Sequence, residues 1–271
     1  MTANDISRIF KDYPETEPYP VLFVGHGSPM NGVEDNAFSL GWKMLGQTLP
    51  KPRAILMVSA HWLTRGIGID VSLHPKTIHD FYGFPDELYA LTYPALGEPQ
   101  LAETTRALLI GREVETEEYG LDHGAWIVLR HMYPDADIPV YQLSVDLEQP
   151  GFYHYELGKM LAPLRERGVL IMGSGNIVHN LRTIDWKPSA TPFDWATEFD
   201  EQVKTLVLKG KHHELCAYQT LGKSAELAIP TPDHYYPLLY TLGAGGEKAH
   251  VSFPVEGIVH GSISMRCILL D

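Results

Sequence analysis

Histidine is the residue type with most chemical potential in this chain, at 13 of 271 residues. Imidazole is the commonest metal ligand and the usual acid–base group near neutral pH. Three histidines follow apolar runs that read as buried strands. Val21-Leu22-Phe23-Val24-Gly25 leads to His26, and Ala54-Ile55-Leu56-Met57-Val58-Ser59-Ala60 leads to His61. Val169-Leu170-Ile171-Met172 continues through a Gly-Ser-Gly stretch to His179. Ligands of open α/β sheets bind outside the carboxyl ends of the strands, so three such histidines are expected to converge on one edge. Small residues around them (Gly25, Gly27, Ser59, Ala60, Gly173, Ser174, Gly175) permit close approach of backbone and ligand. His123, in Gly120-Leu121-Asp122-His123-Gly124, precedes a helix-like stretch, and His234, in Thr231-Pro232-Asp233-His234, stands at the start of another. His74, His131, His154, His212, His213, His250 and His260 lack such a setting and read as surface or structural, while His79 falls between the two groups.

Imidazole ligands suit zinc, copper, iron and nickel. With only Cys216 and Cys267 available, a closed Cys-rich zinc site is excluded. A histidine cluster with an open coordination position points instead to catalysis, in which a neutral histidine accepts a proton that the metal has acidified.

The elements that would position these residues alternate. Helical spacing covers residues 36–49, 98–109, 124–131, 152–167, 194–208 and 232–240. Strand-like runs cover 21–25, 54–60, 67–71, 140–145, 169–172 and 262–270. Strands apolar on both faces, alternating with helices, predict a single α/β domain over residues 21–271. Its central sheet is mostly parallel or mixed, with helices on both faces and the site at the carboxyl ends of strands. Residues 1–20 read as a flexible, polar N-terminal arm. Residues 72–97, rich in Pro, Tyr and Phe, form a long loop of the kind that carries function.

Composition narrows the partners. Hydrophobic residues make up 44% and charged residues 20%, as in a folded globular domain. Acidic residues outnumber basic ones by 34 to 21, a formal charge of −13, so neither nucleic acid nor an anionic membrane is expected as a partner. Two cysteines make no disulfide framework, and residues 1–20 lack a signal-peptide pattern, so a cytoplasmic setting is expected.

Seven motifs occur in an order that resembles the class III extradiol ring-cleavage dioxygenases, in the branch similar to DOPA 4,5-dioxygenase. They begin at Gly25-His26-Gly27-Ser28-Pro29-Met30, Ser59-Ala60-His61-Trp62, Thr77-Ile78-His79-Asp80-Phe81-Tyr82-Gly83-Phe84-Pro85 and Gly120-Leu121-Asp122-His123-Gly124-Ala125-Trp126. They continue with Tyr133-Pro134-Asp135-Ala136-Asp137-Ile138-Pro139, Gly173-Ser174-Gly175-Asn176-Ile177-Val178-His179-Asn180 and Thr231-Pro232-Asp233-His234. The resemblance implies an enzyme that opens a catechol such as L-DOPA with O2, giving seco-DOPA by 4,5-cleavage, at a mononuclear non-haem metal. It implies His26 and His61 as metal ligands. Where the wider class has a glutamate, this branch supplies His234. Three neutral ligands suit zinc as well as iron; Fe(II) is expected for activity, and Zn(II) is compatible with the same site. His179 matches the acid–base histidine, close enough to be considered as a fourth ligand, and His123 a second active-site histidine.

Trp62, His79, Tyr82 and Ser28 are the expected substrate contacts, with core packing the competing role for the aromatic loop and Trp62. Arg65, Arg182 and Lys76 are candidate partners for a substrate carboxylate. Two other readings use the same residues: a zinc-dependent hydrolase with metal-bound water as nucleophile, and a non-catalytic metal-binding relative.

Overall fold

The computed structural model describes residues 3–187 and 190–271. Its strands are β1 (Val21–Gly25), β2 (Ala54–Ser59), β3 (Leu63–Thr64), β4 (Ile67–Asp70), β5 (Val114–Glu117) and β6 (Val140–Gln142). They continue as β7 (Val145–Asp146), β8 (Val169–Gly175), β9 (Val251–Ser252), β10 (Ile258–Val259), β11 (Ile263–Ser264) and β12 (Ile268–Leu270). Its helices are α1 (Ala3–Ile9), α2 (Ala37–Thr48), α3 (Asp86–Tyr89), α4 (Pro99–Leu108) and α5 (His123–Met132). After these come α6 (Gly151–Leu161), α7 (Asp194–Leu208), α8 (His212–Cys216), α9 (Lys223–Ala228) and α10 (Tyr236–Gly245).

The central sheet runs β6-β2-β8-β1-β12-β9. β6, β2, β8 and β1 are parallel, and β12 and β9 complete the sheet antiparallel, so it is mixed as expected. Every residue of β1, β2 and β8 is buried, because both faces are covered. Alternate side chains serve two cores. Phe23, Leu56, Val58 and Ile171 pack with Leu157 of α6, Phe199 of α7 and Leu239 of α10. Leu22, Val24, Ile55, Met57 and Met172 pack with Trp42 of α2 and Trp126 and Leu129 of α5. α10 lies close against α6: a Cβ on Gly158 would overlap the Tyr240 carbonyl, and one on Gly243 the Tyr155 carbonyl. No helix among the described residues is long and apolar enough to cross a membrane.

Several boundaries differ from the sequence reading. The stretch expected as an N-terminal arm contains α1 and is fastened to the domain. Phe10 is buried beneath the Arg167 guanidinium, and backbone N–H groups of Thr16 and Tyr19 donate to Glu166 and Arg165. The helix expected over 152–167 is α-helical only to Leu161. Pro163, which has no N–H to donate, sits in the 3₁₀ turn beyond it, and Gly168 closes that turn at φ +75°. The last strand is broken in two. β11 pairs with β10 while β12 enters the main sheet, because between them Arg266 turns its side chain onto Asp200 and Ser264 is held by Asn176 and Val178. The expected helix over 232–240 starts later, at Tyr236, leaving His234 in a turn where Pro232 accepts from the N–H groups of Tyr235 and Tyr236.

Candidate metal centre

β1, β8 and β2 lie side by side in parallel, with Gly25 opposite Gly175 and Ser59 opposite Ser174. Their carboxyl ends are therefore level, and the three histidines beyond them meet. The His26 N–H donates to Gly175 at 3.1 Å, and the Ala60 N–H to Ser174 at 2.9 Å. The His179 N–H is held by Ala228 at 2.9 Å. Two more histidines arrive from elsewhere. His123 is the first residue of α5, capped by the buried carboxylate of Asp122. His234 is drawn in where its carbonyl accepts from Asn176 at 2.9 Å, an approach that needs Gly175, since a Cβ there would overlap that same carbonyl.

Ring centres of His26, His61 and His234 form a nearly equilateral triangle with sides of 5.0, 5.0 and 5.2 Å. His61 and His123 are closer, at 3.9 Å, and His179 stacks on His234 at 3.5 Å with planes 7° apart. Possible ligand atoms of His26, His61 and His123 all lie within 4.8 Å of one another, and so do those of His179, Asp233 and His234.

Hydrogen bonds outside the cluster set the tautomers. The one proton of Ser174 Oγ goes to the Gly124 carbonyl at 2.6 Å, so this oxygen accepts from His26 Nδ1 at 2.9 Å. The Asp233 carboxylate accepts from His234 Nδ1. Asp80 accepts from both His123 Nδ1 and the His123 backbone N–H, each at 2.9 Å, and lies 3.5 Å from His61 Nδ1. The Nε2 lone pairs are thereby left facing inward. His26 Nε2 and His61 Nε2 are 3.1 Å apart. Two nitrogens bound at about 2.0–2.1 Å to one cation would lie at roughly that separation. The donor set therefore fits a divalent metal ion.

Burial dominates the electrostatics. His26 and His234 are held well below the ordinary imidazole value by burial and then by their neighbouring histidines. Burial, reinforced by His123, lowers His61 to about 3, and burial lowers His179 to about 4 against the opposing charge of Asp233. Burial pushes Asp80 up, but the hydrogen bond from His123 and its charge pull it down to about 2. Neutral His26, His61, His179 and His234 with the ionised carboxylate of Asp80 behind them are what a metal site requires.

The cluster opens into a cavity of about 240 Å³, walled by Phe84, Leu181, Ile184, Trp186 and Ile263 with Ser28 at its rim. Of the four expected substrate contacts only Ser28 lines it. Trp62 is buried on the far side, stacked on Tyr119 at 4.5 Å. His79 packs against Trp126 and bonds the Leu91 carbonyl, and Tyr82 is 92% exposed. Neither Arg65, Arg182 nor Lys76 lines the cavity. His260, whose sequence setting reads as surface or structural, does line it, with its backbone at φ +51°. The supporting groups Asp80, Asp233 and Ser174 lie within the motifs, but sequence alone assigns them no role. Asp233 adjoins its histidine in sequence, whereas Asp80 and His123 are 43 residues apart and only the fold joins them.

An α/β domain that gathers five imidazoles beyond the carboxyl ends of parallel strands, before an apolar cavity, defines a candidate metal-site enzyme, and comparison with known proteins gives the family. The family described as "Catalytic LigB subunit of aromatic ring-opening dioxygenase" matches residues 19–265. The chain belongs to this family and is an extradiol ring-opening dioxygenase. It is 50% identical over 254 residues to 4,5-DOPA dioxygenase extradiol of Escherichia coli K12, covering 92% of this chain and 93% of that one. It is 42% identical over 239 residues to 4,5-DOPA dioxygenase extradiol of Beta vulgaris, covering 84% and 87%. Among solved structures, the uncharacterized protein JW3007 from Escherichia coli K12 matches with a TM-score of 0.82 and 43% identity, covering 93% of this chain and all of that one.

Proposed function

We propose that this enzyme cleaves a catechol such as L-DOPA with O2, opening the ring next to the diol at the 4,5 position to give seco-DOPA, and that His26, His61 and His234 hold its mononuclear metal. The observation that carries the ligand choice is the triangle of ring centres. Imidazoles radiating from one cation at about 2.0–2.1 Å in tetrahedral directions have centres about 5 Å apart. The sides of 5.0, 5.0 and 5.2 Å fit this, and the 3.9 Å between His61 and His123 does not. When bound, Fe(II) supplies acidification of the catechol hydroxyls and electron transfer to O2; Zn(II) suits the same ligands but has no redox chemistry.

His179 is the acid–base residue. Burial keeps its imidazole neutral at pH 7, free to take a hydroxyl proton and later return it. Its stacking on His234 fixes the ring that must move that proton. His123, with Nδ1 committed to Asp80, offers Nε2 to a substrate hydroxyl. The planar ring lies between apolar walls that include Phe84, Trp186 and Ile263, which exclude water from the reacting carbons. A cytoplasmic location completes the proposal, one in which the buried thiols of Cys216 and Cys267 stay reduced.

The test is a panel of catechols with anaerobically Fe(II)-loaded protein, scored by O2 uptake and by absorbance of the yellow ring-opened product. Catechol-dependent uptake lost in His179→Ala is expected; no uptake with any catechol refutes the reading.

A further inference from the structure

Beyond the reaction cavity lies a larger one of about 530 Å³, and the two share four wall residues, Ser28, Phe84, Trp186 and His260. A ring held at the histidines is therefore one layer of side chains from a second space into which a ring substituent can extend. The polar groups of that space are unequal. Asn31 Nδ2 donates to the His26 carbonyl at 2.9 Å, and its Oδ1 accepts from Asn36 Nδ2 at 2.8 Å. Asn36 Oδ1 is in turn occupied by the N–H groups of Phe38 and Ser39, which it caps at the start of α2. Ser28 Oγ accepts from the Met30 N–H. Apart from the O–H donor of Ser28, these groups are engaged within the protein itself.

Glu34 is different. It is exposed to this space, and its one side-chain link among the described residues is a long contact of 3.5 Å to Asn36 Nδ2. It pairs with no lysine or arginine among the described residues, and none lines either cavity. Apart from His260, the carboxylate of Glu34 is the titratable group of the outer lining. An anionic substituent would meet a carboxylate and no fixed cation, whereas an ammonium would meet a carboxylate with its lone pairs available.

We infer that the outer cavity is the subsite for the ring substituent, and that Glu34 makes it select a protonated amine over a neutral or anionic tail. This inference rests on the proposed catechol chemistry. An amino-acid tail is then recognised by its ammonium group, and its carboxylate is left to water.

Binding separates the inference from the reaction. Zn(II)-loaded protein, kept anaerobic so that no ring opens, is titrated with dopamine, 4-ethylcatechol and 3,4-dihydroxyphenylpropionate by calorimetry. Dopamine is expected to bind tightest and the propionate weakest. In Glu34→Gln the preference for dopamine over 4-ethylcatechol is expected to fall about fivefold, the scale of one solvated ion pair. The same preference in both proteins, or a wild-type protein that binds the propionate as tightly as dopamine, overturns the subsite even if the Fe(II) form opens all three rings. An intact, Glu34-dependent preference without ring opening sustains the subsite and overturns the reaction. Failure of all three to bind overturns both.

Discussion

Asp233 offers the sharpest test of how the protein prepares its ligands. Its carboxylate, 17% exposed, accepts a hydrogen bond from His234 Nδ1 and so leaves the Nε2 lone pair facing the other imidazoles. Asp233→Asn keeps shape and removes charge. A hydrogen bond to an ionised acceptor contributes about 1.5–3 kcal/mol, and a neutral one about 1 kcal/mol. The difference, about 0.5–2 kcal/mol, is a factor of roughly 2–30, overlapping the 10–100-fold expected when the outer partner of a ligating histidine is lost. Ser174, which performs the same task for His26 as a neutral acceptor at 2.9 Å, supplies the contrast. Ser174→Ala is expected to weaken metal binding by only about fivefold, the scale of one neutral hydrogen bond. The assay is competition for Zn(II) against a chromophoric chelator at pH 7.5, with urea unfolding of the metal-free variants to confirm that each is folded. Asp233→Asn within twofold of the unaltered protein, or a larger loss from Ser174→Ala, refutes the tautomer argument.

Other outcomes can be checked alongside it. His179→Ala is expected to lower kcat by about 10²–10⁴, the range for loss of a general acid–base group, while metal content stays near stoichiometric by elemental analysis. Zn(II) substituted for Fe(II) is expected to abolish O2 uptake without lowering thermal stability; equal O2 uptake with zinc contradicts this, and substrate turnover with zinc but without O2 uptake points to hydrolytic chemistry. The four imidazoles of His26, His61, His179 and His234 are held below their unfolded value of 6.5. Their contribution to the stability of the metal-free fold is therefore complete above pH 6.5 and lost as pH falls toward about 4, because the unfolded chain then binds protons that the folded one does not. Urea midpoints at pH 7.5 and 5.0 should show the fall; a midpoint that rises at pH 5.0 contradicts it. Next to the histidine cluster, Arg266 is 2% exposed and paired with Asp200, Glu201 and Glu256, and its carbonyl accepts from the Gly25 N–H beside His26. Asp200→Ala is expected to cost about 3 kcal/mol in urea unfolding, the lower end for a broken buried pair since two carboxylates remain.

The strand-end histidines were legible because they depend on short-range rules. An apolar run buried on both faces must be a central strand, and the residues after its end must emerge at the sheet's carboxyl edge. His26, His61 and His179 obey that rule, and the mixed sheet between two helical layers reflects the alternation of elements. Trp62 shows where the rule stops. It adjoins His61 in sequence, but the chain turns it to the opposite side, where Tyr119 was available to stack. His260 shows the converse. Nothing around it in sequence marks it, and it reaches the cavity through a left-handed backbone in the connection between β10 and β11.

The amino-acid order by itself determined which residue types could carry metal chemistry and which edge of the sheet would receive them. Only the tertiary structure decided that Asp80 stands behind His123, that Ser174 orients His26, and that Glu34 lines the cavity beside the histidine pocket. These pairings join residues that no periodicity relates. They are decided by how helices and loops settle on the sheet, where a hydrogen bond or a clash over a few tenths of an ångström selects one arrangement.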